Sequence, residues 1–342
     1  MSFRIGNDVS APATFNVKSY GAVGDGVADD TVFIQNALNA AYNAGGGVVF
    51  LPIGNYLVTS TLNVQEKTII QGASSALGFG DGSHITFSPT NPNSDLFYCS
   101  PTVASYAAIN IIDITADGDS LGAGNARYAL NLEDCEFYVR GGGFRFFAGA
   151  GVFIQSAINS RIEGTSFSFN GYGALFSSLG NTSTSTAFSG VYFAGNNVDV
   201  WVRNCTRLIC TDKTIFETTT TDAIIADSSI TLIDPYFENV AGRILVAGVT
   251  GTFLSVLVLG GEFHDGAGVS TVTDLIYLDN VWDAYIVLNF VAWEKLSYCR
   301  TTVNTNRVFF SCPNIRNTSG DPRLDTQNYN AGDNFTATDD SG

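Results

Sequence analysis

Six short strand-like segments recur between Leu130 and Val281, each closing on a polar pair: Leu130-Asn-Leu-Glu-Asp-Cys135, Val152-Phe-Ile-Gln-Ser-Ala157, Ala174-Leu-Phe-Ser-Ser-Leu179, Val200-Trp-Val-Arg-Asn-Cys205, Ile224-Ile-Ala-Asp-Ser-Ser229 and Ile276-Tyr-Leu-Asp-Asn-Val281. A seventh, Ile244-Leu-Val-Ala-Gly-Val249, fits between the last two without the polar pair. The starts lie 22, 22, 26, 24, 20 and 32 residues apart. A loose period in the twenties, carried by strand-type residues, predicts an all-β solenoid in which each repeat adds one coil and touches only its neighbours.

The repeat also assigns side-chain directions. Positions one and three of each unit are apolar (Leu130 and Leu132, Val152 and Ile154, Val200 and Val202, Ile276 and Leu278), and the two-residue period of a strand puts them on one face, the solenoid interior. Position two then points outward. It is also apolar, as Phe153, Leu175, Trp201, Ile225, Leu245 and Tyr277. Stacked about 4.8 Å apart, these residues predict an outer apolar stripe of a kind soluble monomers seldom expose. Homotrimerisation along it is the expectation, with cover by loops or a sugar-stacking platform on Trp201 and Tyr277 as alternatives. A second ladder carries one phenylalanine per coil: Phe137, Phe167, Phe193, Phe216, Phe237, Phe263 and Phe290.

Composition supports a β-rich, turn-rich chain: 45% hydrophobic and 14% charged residues, with 36 glycines. The net charge of −16 argues against nucleic acid and anionic membrane as partners, since both require clustered cations. The start, Met1-Ser-Phe-Arg4, leads into polar sequence with no apolar signal-peptide core, and no stretch is apolar enough to span a membrane. Six cysteines (99, 135, 205, 210, 299 and 312) lack metal-type spacing and read as reduced, buried fillers.

Residues 1–47 read as an irregular arm followed by a helix over Val32–Tyr42, with Asp30 as N-cap, an Ile34/Ala37/Leu38/Ala41 stripe and a Gly45-Gly-Gly47 stop. Residues 48–312 form the predicted solenoid, and 313–342 an exposed Asn/Asp/Thr/Gly tail or, as the alternative, an ordered clasp between subunits. The opening Tyr20-Gly-Ala-Val-Gly-Asp-Gly26, Asp29-Asp-Thr31, Ile34-Gln35, Gly47-Val-Val-Phe-Leu-Pro52 and Gly54-Asn-Tyr56 resembles the N-terminal signature of the pectate-lyase-like superfamily. The branch it resembles includes polygalacturonase-like enzymes and phage tailspike depolymerases. The resemblance implies a right-handed parallel β-helix whose first helix caps the open end of the core. It also implies a polysaccharide substrate, a homotrimer and a virion-tail or extracellular location. The Asn-Thr-Asp, Gly-His-Gly and Arg-Ile-Lys motifs of polygalacturonases are absent, so no catalytic residue transfers from that branch.

Chemistry is therefore sought in geometry. Glycoside hydrolysis uses two carboxylates, and acids one coil apart on a β-helix supply a suitable spacing. If each ladder phenylalanine points inward, its neighbours point out, which gathers Glu217, Glu238, Glu262, His264 and Tyr236 on one patch, with Asp265 beside them. Glu217, Glu238, Glu262 and His264 are the expected catalytic groups; Tyr236, Asp265, Trp201 and Tyr277 are expected to hold substrate. Crowded carboxylates favour one protonated member, as a general acid requires. A rival cluster is Asp113, Asp117, Asp119, Glu133, Asp134, Glu136, Arg140 and Arg145, read in the first place as loop acids and surface ion pairs; Asp117-Gly-Asp119 would suit a calcium loop, but the full spacing of a calcium motif is absent. His84, in an apolar context, reads as structural. The expected function is depolymerisation of a surface polysaccharide, by hydrolysis in preference to elimination. No cofactor is expected, with calcium as the alternative. A silent glycan-binding tail protein and a cellular lyase are the alternatives.

Overall fold

In the computed structural model, residues 12–74, 82–91, 93–100, 107–118, 126–249, 254–264, 274–292, 297–302, 305, 307–312, 315–316 and 334–337 are described. They form a parallel β-helix of three sheets, with thirteen, twelve and ten strands. Successive strands visit the first, second and third sheets in rotation, so one coil reads Cys135–Arg140, Gly143–Arg145 and Ala150–Gln155, and the next Arg161–Glu163, Ser166–Ser168 and Tyr172–Phe176. Every pairing is parallel and runs from one coil to the next. Two strands, Ile315–Arg316 and Asn334–Ala337, extend the second and first sheets beyond Cys312.

The repeated units are the third sheet. Leu130, Val152, Ala174, Val200, Ile224 and Ile276 form one inward column, buried throughout. The seventh unit is offset by one residue: Leu245, not Ile244, aligns with Ile224 and Ile276, and Val246 takes position two. The polar pair marks a corner, because the residue at its end adopts a left-handed conformation at Asp134, Ser156, Asn204 and Asn280 (φ 48–54°). Short polar side chains tolerate that region best. In the seventh unit Gly248, at φ 80°, makes the turn without a polar pair.

The phenylalanine ladder is the inward column of the second sheet, with two corrections. Phe144, not Phe137, stands in register with Phe167, whereas Phe137 lies in the first sheet opposite Ile109. Val291 follows Phe263, and Phe290 is paired with Glu262 one residue earlier. The buried rings of Phe144, Phe167, Phe193, Phe216 and Phe237 stack at centroid distances of 5.8, 5.7, 5.4 and 4.9 Å. Burying each ring contributes about 1.5–3 kcal/mol, and each stacked pair about 0.5–1.5 kcal/mol more. All six cysteines are free and buried, and burial pushes the Cys135 thiol up to about 12.

The helix spans Thr31–Asn43 and buries Ile34, Ala37, Leu38 and Ala41 against the first coils, closing the apolar end. Asp30 does not cap it. Its fully buried carboxylate accepts from the amides of Val23 and Gly24, at 2.6 and 3.0 Å, and so folds the Tyr20–Gly26 loop onto the helix start. Asp29 provides the cap instead, accepting from the Thr31 amide at 3.0 Å.

One polar chain runs through the core. Asn170 donates to the Asn196 side chain (3.1 Å), Asn196 donates to Asp199 (2.9 Å), and the Thr219 hydroxyl donates to the other Asp199 oxygen. Burial pushes the Asp199 carboxyl up to about 7, against the lowering effect of those two donors. Between the ordinary carboxyl value and 7 the folded chain binds more protons at this site than the unfolded chain. The stability contribution is therefore present at low pH and is lost as pH rises through 7. Asp199→Asn is expected to raise the melting temperature relative to the parent at pH 8 and to leave it little changed at pH 4. Thermal denaturation at both values checks this, and equal shifts at the two would contradict the assignment.

Candidate functional site

On the second sheet, alternation around the inward column sends two columns outward. One contains Arg145, Ser168, Ala194, Glu217, Glu238 and His264; the other contains Tyr192, Ile215, Tyr236 and Glu262. Glu217, Glu238, Glu262, His264 and Tyr236 thus meet on three consecutive strands, where the ladder phase puts them. Register places Glu217 and Glu238 about 4.8 Å apart at the backbone. Glu262, two residues along the strand from the Glu238 column, lies about 8 Å from Glu238 on the same basis.

Each acid has a partner. The Tyr192 hydroxyl donates to Glu217 at 2.6 Å, and the Tyr236 hydroxyl to Glu238 at 3.0 Å. His264 Nε2 lies 3.0 Å from Glu262, and the imidazole stacks on Tyr236 at 5.2 Å. Burial, reinforced by the hydrogen bond to Glu217, pushes the Tyr192 phenol up to about 12, and burial with Glu238 raises Tyr236 in the same direction. Both phenols therefore stay protonated at neutral pH and act as donors. Lys213 brings a cation within 5.9 Å of the Tyr236 ring. Tyr192 is the member that sequence reading overlooked. It pairs with Ile215, two residues before the Ala194–Glu217 pair, and its hydroxyl reaches Glu217 on the next coil diagonally. Asp265 lies outside the described residues.

The rival cluster does not assemble. Glu136 and Arg140 lie on the first sheet, Glu133 on the third, and Asp113 and Asp134 occupy corners. Asp119 lies outside the described residues. Asp117 and Arg145 do meet, on adjacent strands of the second sheet, through paired hydrogen bonds, the Nη2 one at 2.8 Å. His84 joins them. Its Nδ1 is 3.0 Å from the Thr115 hydroxyl and its Nε2 3.8 Å from Asp117. Burial and the Arg145 charge hold the imidazole below its ordinary value despite Asp117. His84 faces outward on the sheet that carries the acids and is nevertheless buried. Asp117, the described half of the expected calcium fragment, is engaged by Arg145.

Beside this trio, Phe146 and Phe169 occupy a corner at φ 64° and 57°, where later coils use Gly195, Thr218 and Asn239. Left-handed backbone is costly for a bulky residue. Both rings are exposed and stack at 5.5 Å. Gly195 makes room for them: a Cβ there would come within 2.6 Å of the Phe169 ring.

The position-two column of the third sheet is continuous but covered. Leu175 and Val246 are buried; Phe153, Trp201, Ile225 and Tyr277 are half-buried. The Arg203 guanidinium lies 4.3 Å over the Trp201 ring, and Arg243 and Arg300 lie 5.5 and 5.8 Å from Tyr277. Trp201 also donates to Asp227 at 3.0 Å. Neither ring presents the bare platform expected. A further exposed apolar surface lies on the first sheet, where Ile233 and Leu259 share one column and Leu257, Tyr285 and Phe309 the next.

Comparison with known proteins places this geometry in context. Mannuronan C5-epimerase AlgE1 of Azotobacter vinelandii is 55% identical over 56 residues, which span 16% of this chain and 4% of the relative. Among solved structures, ORF18 of Geobacillus virus E2 aligns with a TM-score of 0.62 at 20% identity, covering 96% of this chain and 62% of that one. The tailspike protein of Acinetobacter baumannii phage AM24 aligns at 0.54 and 14% identity, covering 90% and 55%. These two likenesses establish the shared β-helix fold. The family model described as "Rhamnogalacturonase A/epimerase, pectate lyase-like" matches residues 14–221, more than half of the chain; it includes Glu217 and stops short of Glu238, Glu262 and His264. The chain belongs to this pectate lyase-like family.

Proposed function

We propose that this protein is a polysaccharide depolymerase of tailspike type that hydrolyses glycosidic bonds on the outer face of its second sheet. The observation that carries the reading is the pair Glu217 and Glu238, one coil apart and each oriented by a tyrosine hydroxyl. One would protonate the leaving oxygen and the other attack the anomeric carbon. Backbone separation of about 4.8 Å suits the close carboxylate pair of a retaining mechanism. Glu262 with His264, and Tyr236 stacked on the imidazole, would bind the flanking sugar. Upstream on the same face, Phe146 and Phe169 offer apolar ring surface to a polymer lying along the helix axis.

The named relative is an epimerase, and epimerisation or elimination begins with removal of a proton beside a uronate carboxylate. That step needs an unprotonated base at neutral pH. Tyr192 and Tyr236, whose phenols are raised, are ill suited to it. His264 would be the base for elimination, but the glutamates around it disfavour a carboxylated sugar, and hydrolysis by the carboxylates is preferred. Assembly into a virion tail or extracellular trimer belongs to the same proposal. Its support is the apolar first-sheet face at Ile233, Leu259 and Tyr285, since the third-sheet column is already covered within one chain.

Glu238→Gln is expected to lower cleavage of a matching exopolysaccharide about 10²–10⁴-fold, with melting unchanged; a reducing-end assay on a glycan panel measures it. Cleavage at the parental rate would move the chemistry elsewhere. Proton NMR of the first product should find the anomeric configuration retained, whereas inversion would point to the wider Glu238–Glu262 pair. Unsaturated ends seen by ultraviolet absorbance would replace hydrolysis with elimination. Tyr285→Asp should convert a trimer to monomer in sedimentation velocity, and a parent that sediments as a single chain would remove the trimer.

A further inference from the structure

The first coil begins all three parallel sheets, and on one side of each end strand (Thr14–Asn16, Asp25–Asp29 and Leu62–Val64) no further strand stands among the described residues. Bare N–H and C=O groups along such an edge are a template for an added strand. Apolar side chains at this end would strengthen the attraction: Val23, Val27, Val32 and Ile53 are all exposed, Val27 by 80%. A second copy stacking its far end here would repeat one contact at every step. Such a head-to-tail arrangement does not close and grows into filaments.

Side chains occupy that edge instead. In the third sheet the Leu62 amide donates to the Leu96 carbonyl on the next coil at 2.9 Å, so alternation turns the N–H and C=O of Asn63 to the open side. There the Gln35 carboxamide meets both. Its Oε1 accepts from the Asn63 amide at 2.8 Å, and its Nε2 donates to the Asn63 carbonyl at 3.1 Å. An added parallel strand would need those same two groups. In the second sheet Asp25 stands opposite Asn55 and Asp29 opposite Leu57, so Gly26, Val27 and Ala28 bulge against Tyr56 alone. The exposed Asp25 carboxylate accepts from the amides of Val27 and Ala28 at 2.9 and 2.8 Å. The Ala28 and Val27 amides hold this carboxyl below its ordinary value, so it stays charged into the acidic range. The helix itself packs against Thr14–Asn16.

We infer that Gln35 and Asp25 close the end of the solenoid against a second copy of this chain, each taking backbone hydrogen bonds that an added coil would need. The exposed carboxylate also repels a copy of net charge −16. This closure is independent of the acids of the second sheet and of the side-to-side assembly proposed above.

Sedimentation velocity and electron microscopy of the full chain test it, with far-ultraviolet circular dichroism to establish folding. The parent should form no particle longer than one solenoid. Combining Asp25→Ala with Gln35→Ala frees the Val27, Ala28 and Asn63 groups and adds no large apolar side chain. This double variant should form a concentration-dependent series of particles whose lengths are multiples of one solenoid. Asp25→Ala alone should lengthen less, and Asp25→Asn, whose side-chain oxygen can still accept from both amides, should stay as the parent. Gln35→Ala alone, with alanine the best helix former, covers the case in which the double variant fails to fold and should also lengthen. Hydrogen exchange on the parent needs no variant: the Val27, Ala28 and Asn63 amides should exchange at least about tenfold slower than in an unstructured chain. Folded alanine variants that form only parental particles, side-by-side aggregates in place of lengthened ones, association of Asp25→Asn equal to that of Asp25→Ala, or free exchange at those amides would overturn the proposal.

Discussion

In-register stacking of parallel strands is the constraint on which everything else in this molecule depends. Each residue of a strand faces its counterpart on the coils before and after, about 4.8 Å away. A column is therefore uniform in environment along its length. Inward columns must be apolar on every coil, and the Phe144–Phe237 stack satisfies that with one ring per turn. Outward columns carry no such requirement, and residues more than twenty positions apart become neighbours there. Glu217, Glu238 and His264 are brought together by register alone, with no loop needed to position them.

Corners make that register possible and determine where it shifts. A short strand must turn sharply, and the turns fall on left-handed residues: mainly glycines and aspartates between the first and second sheets (Asp113, Gly141, Gly164, Gly190, Asp234), and mainly Asp, Asn or Ser between the third and first. Between the second and third sheets the usage departs from this economy at Phe146 and Phe169. Two exposed phenylalanines in a backbone region that disfavours them reduce stability where Asn or Gly would serve. They lie beside His84, Asp117 and Arg145, on the face that carries the acids, with the Arg145 guanidinium 5.1 Å from the Phe146 ring.

These relations explain which features were legible in the sequence. The acid patch could be read because Phe216, Phe237 and Phe263 fix the strand phase on three adjacent coils, and alternation then dictates what points outward. Upstream the same inward column is Tyr56, Ile85 and Ala116, with no phenylalanine to mark it. The outward direction of His84 consequently went unread, and Phe137, an inward residue of a different sheet, looked like the ladder's first member. Leu245 was displaced by one position because its unit turns on Gly248 and lacks the polar pair that aligns the others. Asp30 and Asp29 exchange roles for a related reason: adjacent carboxylates at a helix start are equivalent until the preceding loop claims one of them. The cover over Trp201 and Tyr277 was not legible at all, because the arginines responsible come from the same or neighbouring coils and reveal themselves only through side-chain direction.

Charge distribution carries the last step. Acids outnumber cations two to one, and most of the described arginines are committed to a carboxylate or a ring, so the outer surface is short of positive charge. A uronate polymer approaching such a surface is repelled on average. It can be held only where a cation is both fixed and unneutralised, whereas a neutral glycan meets no such barrier. On the second sheet each acid is matched by a hydroxyl or an imidazole. At the third-to-first corner the balance is reversed, with Arg203 pinned by Trp201 and by a carbonyl instead of a carboxylate. The acids of the second sheet and the fixed cation of the third-to-first corner therefore lie on different sides of the coil, and the charge a ligand would meet depends on the side it approaches.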